Sequence, residues 1–189
     1  MATPNTRRNK DARSDDLYTT PFDAVHDIMR RESINGSIID AGCGTGNIAE
    51  VVKQYCNNTT AVDLNDHGYG STGVNFLQYE NKHSNAISNP PFTLLEQFIN
   101  QCLKITSDKV LIFCRVTALE SAKRYESIYK DNPPSRIYYY VSRVSCSKGG
   151  LVKSDSSAVF YCWVVWDKKS KRKETISYWI DNRKGAKNV

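Results

Sequence analysis

Two rhythms of apolar residues alternate along the chain. Phe22, Val25, Ile28 and Met29 recur at helical spacing behind Thr20, Pro21 and Asp23, which supply a capping hydroxyl, a proline at the first helical position and a carboxylate near the free amides. After the turn signal Asn35-Gly36, residues 37–40 form a short apolar run ending in an acid; Gly42, Gly44 and Gly46 follow, and Ile48, Val51, Val52 and Tyr55 resume helical spacing. The pattern predicts strand, glycine loop and helix. Residues 59–63 read as a second strand ending in an acid, residues 73–76 as a third, and residues 85–88 as a fourth that runs into Asn89-Pro90-Pro91-Phe92.

Thr93 and Glu96 then have the spacing of a capping box ahead of Leu94, Leu95, Phe98, Ile99, Cys102 and Leu103, which predicts a helix directly after the prolines. Residues 109–114 read as a buried strand, Thr117 with Glu120 as the cap of a further helix through Tyr129, and residues 136–143 and 158–166 as aromatic-rich strands. Strands alternating with helices up to residue 130 argue for a parallel α/β sheet; the two late strands, with no helix between them, argue for an antiparallel pair at its edge. Trp163 and Trp166 stand three apart in a strand and must point to opposite faces.

A length of 189 residues accommodates one domain, and 40% hydrophobic with 24% charged residues excludes collagen, coiled coil and a wholly disordered chain. Residues 1–16 have charge without an apolar block and read as a flexible arm, not a secretory signal; residues 17–181 form the expected domain, and residues 182–189 a basic tail. The longest apolar run, residues 158–166, is about half of what a bilayer-spanning helix needs, so no membrane segment is expected and the cytoplasm is the default compartment. Six cysteines lacking a CxxC pair or a nearby histidine indicate reduced thiols, with neither disulfide framework nor metal site. His26, His67 and His83 share no spacing and read as surface or loop residues.

Lysine and arginine exceed aspartate and glutamate by 26 to 20, which favours a polyanionic partner. From Gly150 onward the count is nine basic to four acidic residues, so Lys168, Lys169, Lys171, Arg172 and Lys173 are candidate phosphate contacts. Residues 145–156, glycine-containing and basic, with Lys148 and Lys153, are a candidate loop for clamping a nucleic acid.

Asp40-Ala41-Gly42-Cys43-Gly44-Thr45-Gly46 places DxGxGxG between a strand and a helix, where glycines let a ligand lie against bare backbone and the helix start offers free amides. Asp63 ends the next strand, where a carboxylate can accept both ribose hydroxyls of an adenosine-containing ligand. Asn89-Pro90-Pro91-Phe92 falls on the same carboxyl edge of the sheet. A purine amine is a poor nucleophile because its lone pair is delocalised into the ring. The Asn89 side-chain oxygen and the Pro90 carbonyl can accept its two hydrogens and free that pair, Pro91 stiffens the backbone, and Phe92 offers a flat face for the base. A second Asn-Pro-Pro, residues 132–134, follows a helix, ends no strand and lacks the aromatic residue, so it is rejected as a site.

DxGxGxG at residues 40–46, Asp63, and NPPF at residues 89–92, in this order, resemble the class I S-adenosylmethionine-dependent methyltransferases that modify the adenine amino group. The match covers residues 17–115 well; WVVWD, residues 163–167, is similar to small phage-type DNA adenine methyltransferases. The resemblance implies a Rossmann-like α/β fold, with a seven-stranded mostly parallel sheet, an antiparallel last strand and helices on both faces. It further implies S-adenosylmethionine as cofactor, no metal, and a bacterial or phage-infected cytoplasm. Carried over by position, Asp40, Gly42 and Gly44 would border the methionine moiety and Asp63 the ribose. Tyr18, Thr20 and Pro21 would contact the methionine end, Asn75 and Phe76 the cofactor adenine, and Asn89 both substrates. Asn75 stands where the family has an acid, and the chain shows no separate target-recognition domain, which puts sequence choice in doubt.

The activity so implied is methyl transfer to the N6 amine of adenine in DNA. RNA is the nearest alternative substrate. Transfer to a protein glutamine is disfavoured, because those enzymes carry tyrosine where this chain has Phe92. A non-catalytic subunit that binds cofactor and nucleic acid is disfavoured by the intact NPPF. An oligomer or a partner subunit stays open.

Overall fold

A computed structural model describes residues 17–148 and 159–183. Its elements in chain order are β1 (Tyr18–Thr19), α1 (Phe22–Met29), β2 (Ile38–Ala41), α2 (Asn47–Val52), β3 (Thr59–Val62), β4 (His83–Ser88), α3 (Leu95–Ile105), β5 (Thr106–Arg115), β6 (Arg136–Tyr140), β7 (Ser147–Lys148), β8 (Tyr161–Asp167) and β9 (Ile176–Ile180). Seven strands form one sheet in the order β3-β2-β4-β5-β8-β6-β9, and β1 pairs separately with β7. Six of the seven run parallel; β8 alone is antiparallel to both of its neighbours, β5 and β6.

Alternating side chains of the central strands feed two cores, one on each face of the sheet. Ile39, Ala86, Val110, Ile112, Val164 and Trp166 pack with Leu95, Phe98 and Ile99 of α3. Ile38, Ile87, Leu111, Phe113, Trp163 and Val165 pack with α1 and α2 on the other side. The two late tryptophans thus take opposite faces, as strand periodicity requires. Strands buried on both faces read as continuous apolar runs, which is why residues 110–114 and 161–166 are so uniformly hydrophobic.

Several sequence expectations are corrected. Residues 73–76 are not a strand: Gly73 has φ +72°, a left-handed backbone that breaks pairing, and Asn75 caps a 3-10 turn over Phe76–Gln78. Just before that segment Ser71 bridges to Val62, and within it Val74 N donates to Asp63 O at 2.9 Å. The count of seven is restored by β9, an unexpected edge strand parallel to β6, so the antiparallel strand is the penultimate one in the chain. Neither Thr20 nor Thr93 caps a helix: α1 and α3 begin without side-chain caps, and Glu96 pairs with Lys123 instead. Ser121, not Thr117, caps the helical turn Ala122–Arg124, which widens into a π-turn over Tyr125–Tyr129. Asn182, assigned to the tail, exchanges two hydrogen bonds with the Ser142 backbone at 2.8 and 3.0 Å.

Candidate active site

The carboxyl ends of β2, β3 and β4 meet above a cavity of about 290 Å³, a volume suited to a small-molecule ligand. Gly42, Gly44, Asp63, Asn75, Phe76, Asn89, Pro91, Tyr18 and Thr20 line it. Asp40, Pro21, Pro90 and Phe92 do not.

The glycine loop takes left-handed backbone at Gly42, Gly44 and Gly46. Gly44 has φ +53°, a backbone that side chains rarely adopt, and a Cβ there would stand 2.7 Å from Leu17 Cδ1 in the cavity lining. Asp63 braces the loop: one carboxylate oxygen accepts from Gly44 N at 2.9 Å and the other from Asn65 N at 2.9 Å. Each oxygen retains a second lone pair for a ligand. Asp40 is fully buried behind the loop, where one oxygen accepts from Ala49 N at 3.1 Å and the other has no partner among the described residues. Burial pushes its carboxyl up to about 8, and the nearby Asp63 adds to the rise against the Ala49 hydrogen bond. Burial, with Asp40 and Asp63 alongside, also pushes the Cys43 thiol up to about 12, so this cavity cysteine is an inert thiol at neutral pH.

Asn89 follows the last residue of β4. Its amide nitrogen donates to the Tyr18 carbonyl at 2.8 Å and to Thr20 Oγ1 at 3.0 Å. A carbonyl can only accept, so this contact fixes the amide with its nitrogen toward Tyr18; Oδ1 accepts from no described residue. α1 lacks a side-chain cap because Pro21 holds the N-cap position, one residue beyond Thr20. Pro90 is buried, and the Pro91 carbonyl starts the next turn by accepting from Leu94 N at 2.9 Å. Phe92 lies behind the cavity wall, its ring 5.6 Å from that of Tyr18. The Arg115 guanidinium, at the end of β5, stacks 3.7 Å from the centre of the Phe92 ring.

Asn75 lines the cavity, and its side-chain oxygen accepts from Leu77 N at 3.1 Å, which leaves a second lone pair on that oxygen. Phe76 is buried against Phe98, centroids 5.1 Å apart, and forms part of the cavity floor. The structure adds Leu64, Asn65, His67, Val74 and Phe98 to the lining. The glycine-rich stretch after Asp63 was the available signal for the first four. His67 is on a loop, as read, but faces the site. His26 instead bonds Tyr55 at 2.9 Å, and His83 stacks on Tyr79.

The candidate nucleic-acid residues divide. Lys148 is brought to the site through its backbone, paired with Tyr18, whereas Lys153 lies outside the described residues. Lys168 to Lys173 follow β8 and stand at the opposite edge of the sheet, about 20 Å away by the length of β8. There Lys168 donates to the carbonyls of Leu103 and Thr106, and Lys169 pairs with Asp108 at 2.7 Å. They are not gathered at the cavity. No group of three or more potential metal ligands occurs among the described residues, and no described helix is long and apolar enough to cross a membrane.

No family model matches this sequence, and no curated protein does. Solved structures do match. A candidate RNA methyltransferase from Pyrococcus horikoshii superposes with a TM-score of 0.60 at 12% identity, over 81% of this chain and 87% of that one. The magnesium protoporphyrin IX methyltransferase of Synechocystis PCC 6803 with bound S-adenosylhomocysteine gives 0.54 at 12% identity, over 78% and 82%. The type I restriction enzyme EcoKI M protein gives 0.61 at 12% identity, covering 84% of this chain and 45% of that one, so this chain spans about half of that subunit. With the seven-stranded sheet and its single antiparallel strand, these likenesses show that the chain has the Rossmann-like fold of the class I methyltransferases.

Proposed function

We propose that this protein transfers a methyl group from S-adenosylmethionine to the N6 amine of adenine in nucleic acid, with DNA as the first substrate. The observation that supports this most is the Asn89 amide, held through its nitrogen by Tyr18 and Thr20 so that its oxygen is left to accept at the cavity. The cofactor fits what the residues provide. Asp63 offers lone pairs for a ribose, the glycine loop offers a cradle that a Cβ would fill, and Ile48, Leu64, Val74 and Phe98 offer apolar walls. When bound, it supplies an electrophilic methyl on a sulfonium.

Asn89 Oδ1 accepts one hydrogen of the adenine amine and turns its lone pair out of the ring system, while the second expected acceptor, the Pro90 carbonyl, belongs to a residue outside the cavity lining. With the cofactor held by Asp63 and the glycine loop, the amine would be aligned to take its methyl, and the surplus proton on the nitrogen, hydrogen-bonded by Asn89 Oδ1, would pass to water. Holding both partners at attack distance supplies most of the acceleration. A base that stacks on Phe92 takes the place of the Arg115 guanidinium, a planar cation suited to phosphate.

The test incubates the protein with labelled S-adenosylmethionine and DNA, RNA or a protein extract. N6-methyladenine in digested DNA is the expected product; label in adenine of RNA alone would reassign the substrate, and label in cytosine or protein would end the adenine reading.

A further inference from the structure

A second cavity, about 300 Å³, opens on the same carboxyl edge of the sheet, among the ends of β6 and β9 and the start of β8. Tyr139, Phe160, Tyr161 and Trp179 wall it, with Val116 and Arg143. Two of these rings are unusually open: Trp179 is 67% exposed and Phe160 59%. Large aromatic faces left in water at a concavity mark a surface built for a partner. The Arg143 guanidinium lies over the Phe160 ring at 5.2 Å, and Trp179 packs tilted against Tyr139 at 5.8 Å.

We propose that this aromatic cavity is a stacking site for unpaired bases of the strand that carries the target adenine. This rests on the function proposed above and adds that the acceptor is single-stranded where it meets the protein. Flat rings combined with a guanidinium suit bases and phosphates together, and only unpaired bases expose their faces. The site is continuous with the catalytic edge. From β4, which carries Asn89, to β6 and β9 is three and four strand intervals, about 14 to 19 Å. That distance is roughly four to six stacked nucleotides at about 3.4 Å each. Arg115, at the end of β5, stands between the two cavities, and the chain's net charge of +6 has the sign a phosphate backbone requires.

Trp179 reports on its own occupancy, because the other two tryptophans, Trp163 and Trp166, are buried. An adenine-containing DNA strand of about 12 nucleotides should quench the protein's fluorescence, and Trp179→Phe should remove that response. Trp179→Ala and Phe160→Ala should each weaken binding of the strand about tenfold by anisotropy, with cofactor affinity unchanged. The duplex of the same sequence should bind more weakly and quench less.

The proposal is overturned if the wild-type protein fails to bind the strand, if the strand binds without quenching, or if both alanine variants bind it normally. It is equally overturned if Trp179→Ala converts a dimer to a monomer in sedimentation, since the cavity would then hold a second copy. Should quenching persist while no adenine of any nucleic acid is methylated, the catalytic reading fails and the stacking site stands.

Discussion

Asn-Pro-Pro occurs twice in this chain, at opposite edges of one sheet, and the two copies do different work. At residues 132–134 every polar group used belongs to the backbone: Asn132 N donates to Ile128 O, Asn132 O accepts from Trp166 Nε1 at 2.9 Å, and Pro134 O accepts from the Thr175 hydroxyl. The Asn132 side chain is exposed. At residues 89–91 the side chain is anchored by its nitrogen and its oxygen stays available at the cavity. The same tripeptide leaves its asparagine side chain in solvent in one place and sets it in the wall of the cavity in the other. The difference lies in what the strand ends against.

The largest effect that would separate the two is on turnover. Asn89→Ala should lower methyl transfer by about a thousandfold, in the range of a lost preorganised hydrogen-bonding group, while calorimetry shows cofactor affinity nearly intact. Equal loss of both would make Asn89 structural. Thr20→Val, which removes one of the two acceptors holding the amide, should cut kcat about tenfold, near ~1.4 kcal/mol; unchanged kcat would mean that the Tyr18 carbonyl alone orients it.

A third prediction contrasts the two edges through pH. Burial holds Asp40 at about 8, so from about pH 4 to 8 the unfolded chain has lost a proton that the folded one keeps. Its contribution to stability therefore falls as pH rises across that window. Glu32, at the other edge, behaves oppositely: burial raises it, but hydrogen bonds from Arg136, Lys109 and Tyr138 outweigh that and hold it below its ordinary value. Its contribution is present above the usual carboxylate range and lost as pH falls below it. Asp40→Asn should flatten the decline in urea midpoint between about pH 4 and 8, and Glu32→Gln should flatten the acid side instead. An unaltered profile in either variant would contradict the assignment. The smallest effect belongs to Asn132→Ala, which keeps both backbone bonds: activity unchanged and stability within about 0.5 kcal/mol by thermal unfolding.

The site's chemistry was legible because it is written in contiguous residues. DxGxGxG, Asp63 and Asn89 announce themselves through short spacing and strand ends; Gly42, Gly44, Asp63 and Asn89 line the cavity, and Asp40 and Gly46 do not. What depends on distant partners was not legible. The Thr20 hydroxyl looks like a helix cap in isolation and is claimed by Asn89, 69 positions away. Asn75 reads as a base contact, and it also closes its own turn. β9 has the alternation of Ile176, Tyr178 and Ile180, but it follows a run of lysines that reads as a solvated loop, and only Ile180 is fully buried. The basic cluster at residues 168–173 could be located on an edge only once β8 was known to run against its neighbours.

Tyr18 has two attachments: its carbonyl holds the Asn89 amide, and its strand partner is Lys148 in a ladder two residues long. Those two residue pairs are the only strand pairing β1 makes among the described residues. The set of the Asn89 amide is thereby tied to the pairing of β1 with β7, and whatever displaces that ladder carries the amide with it.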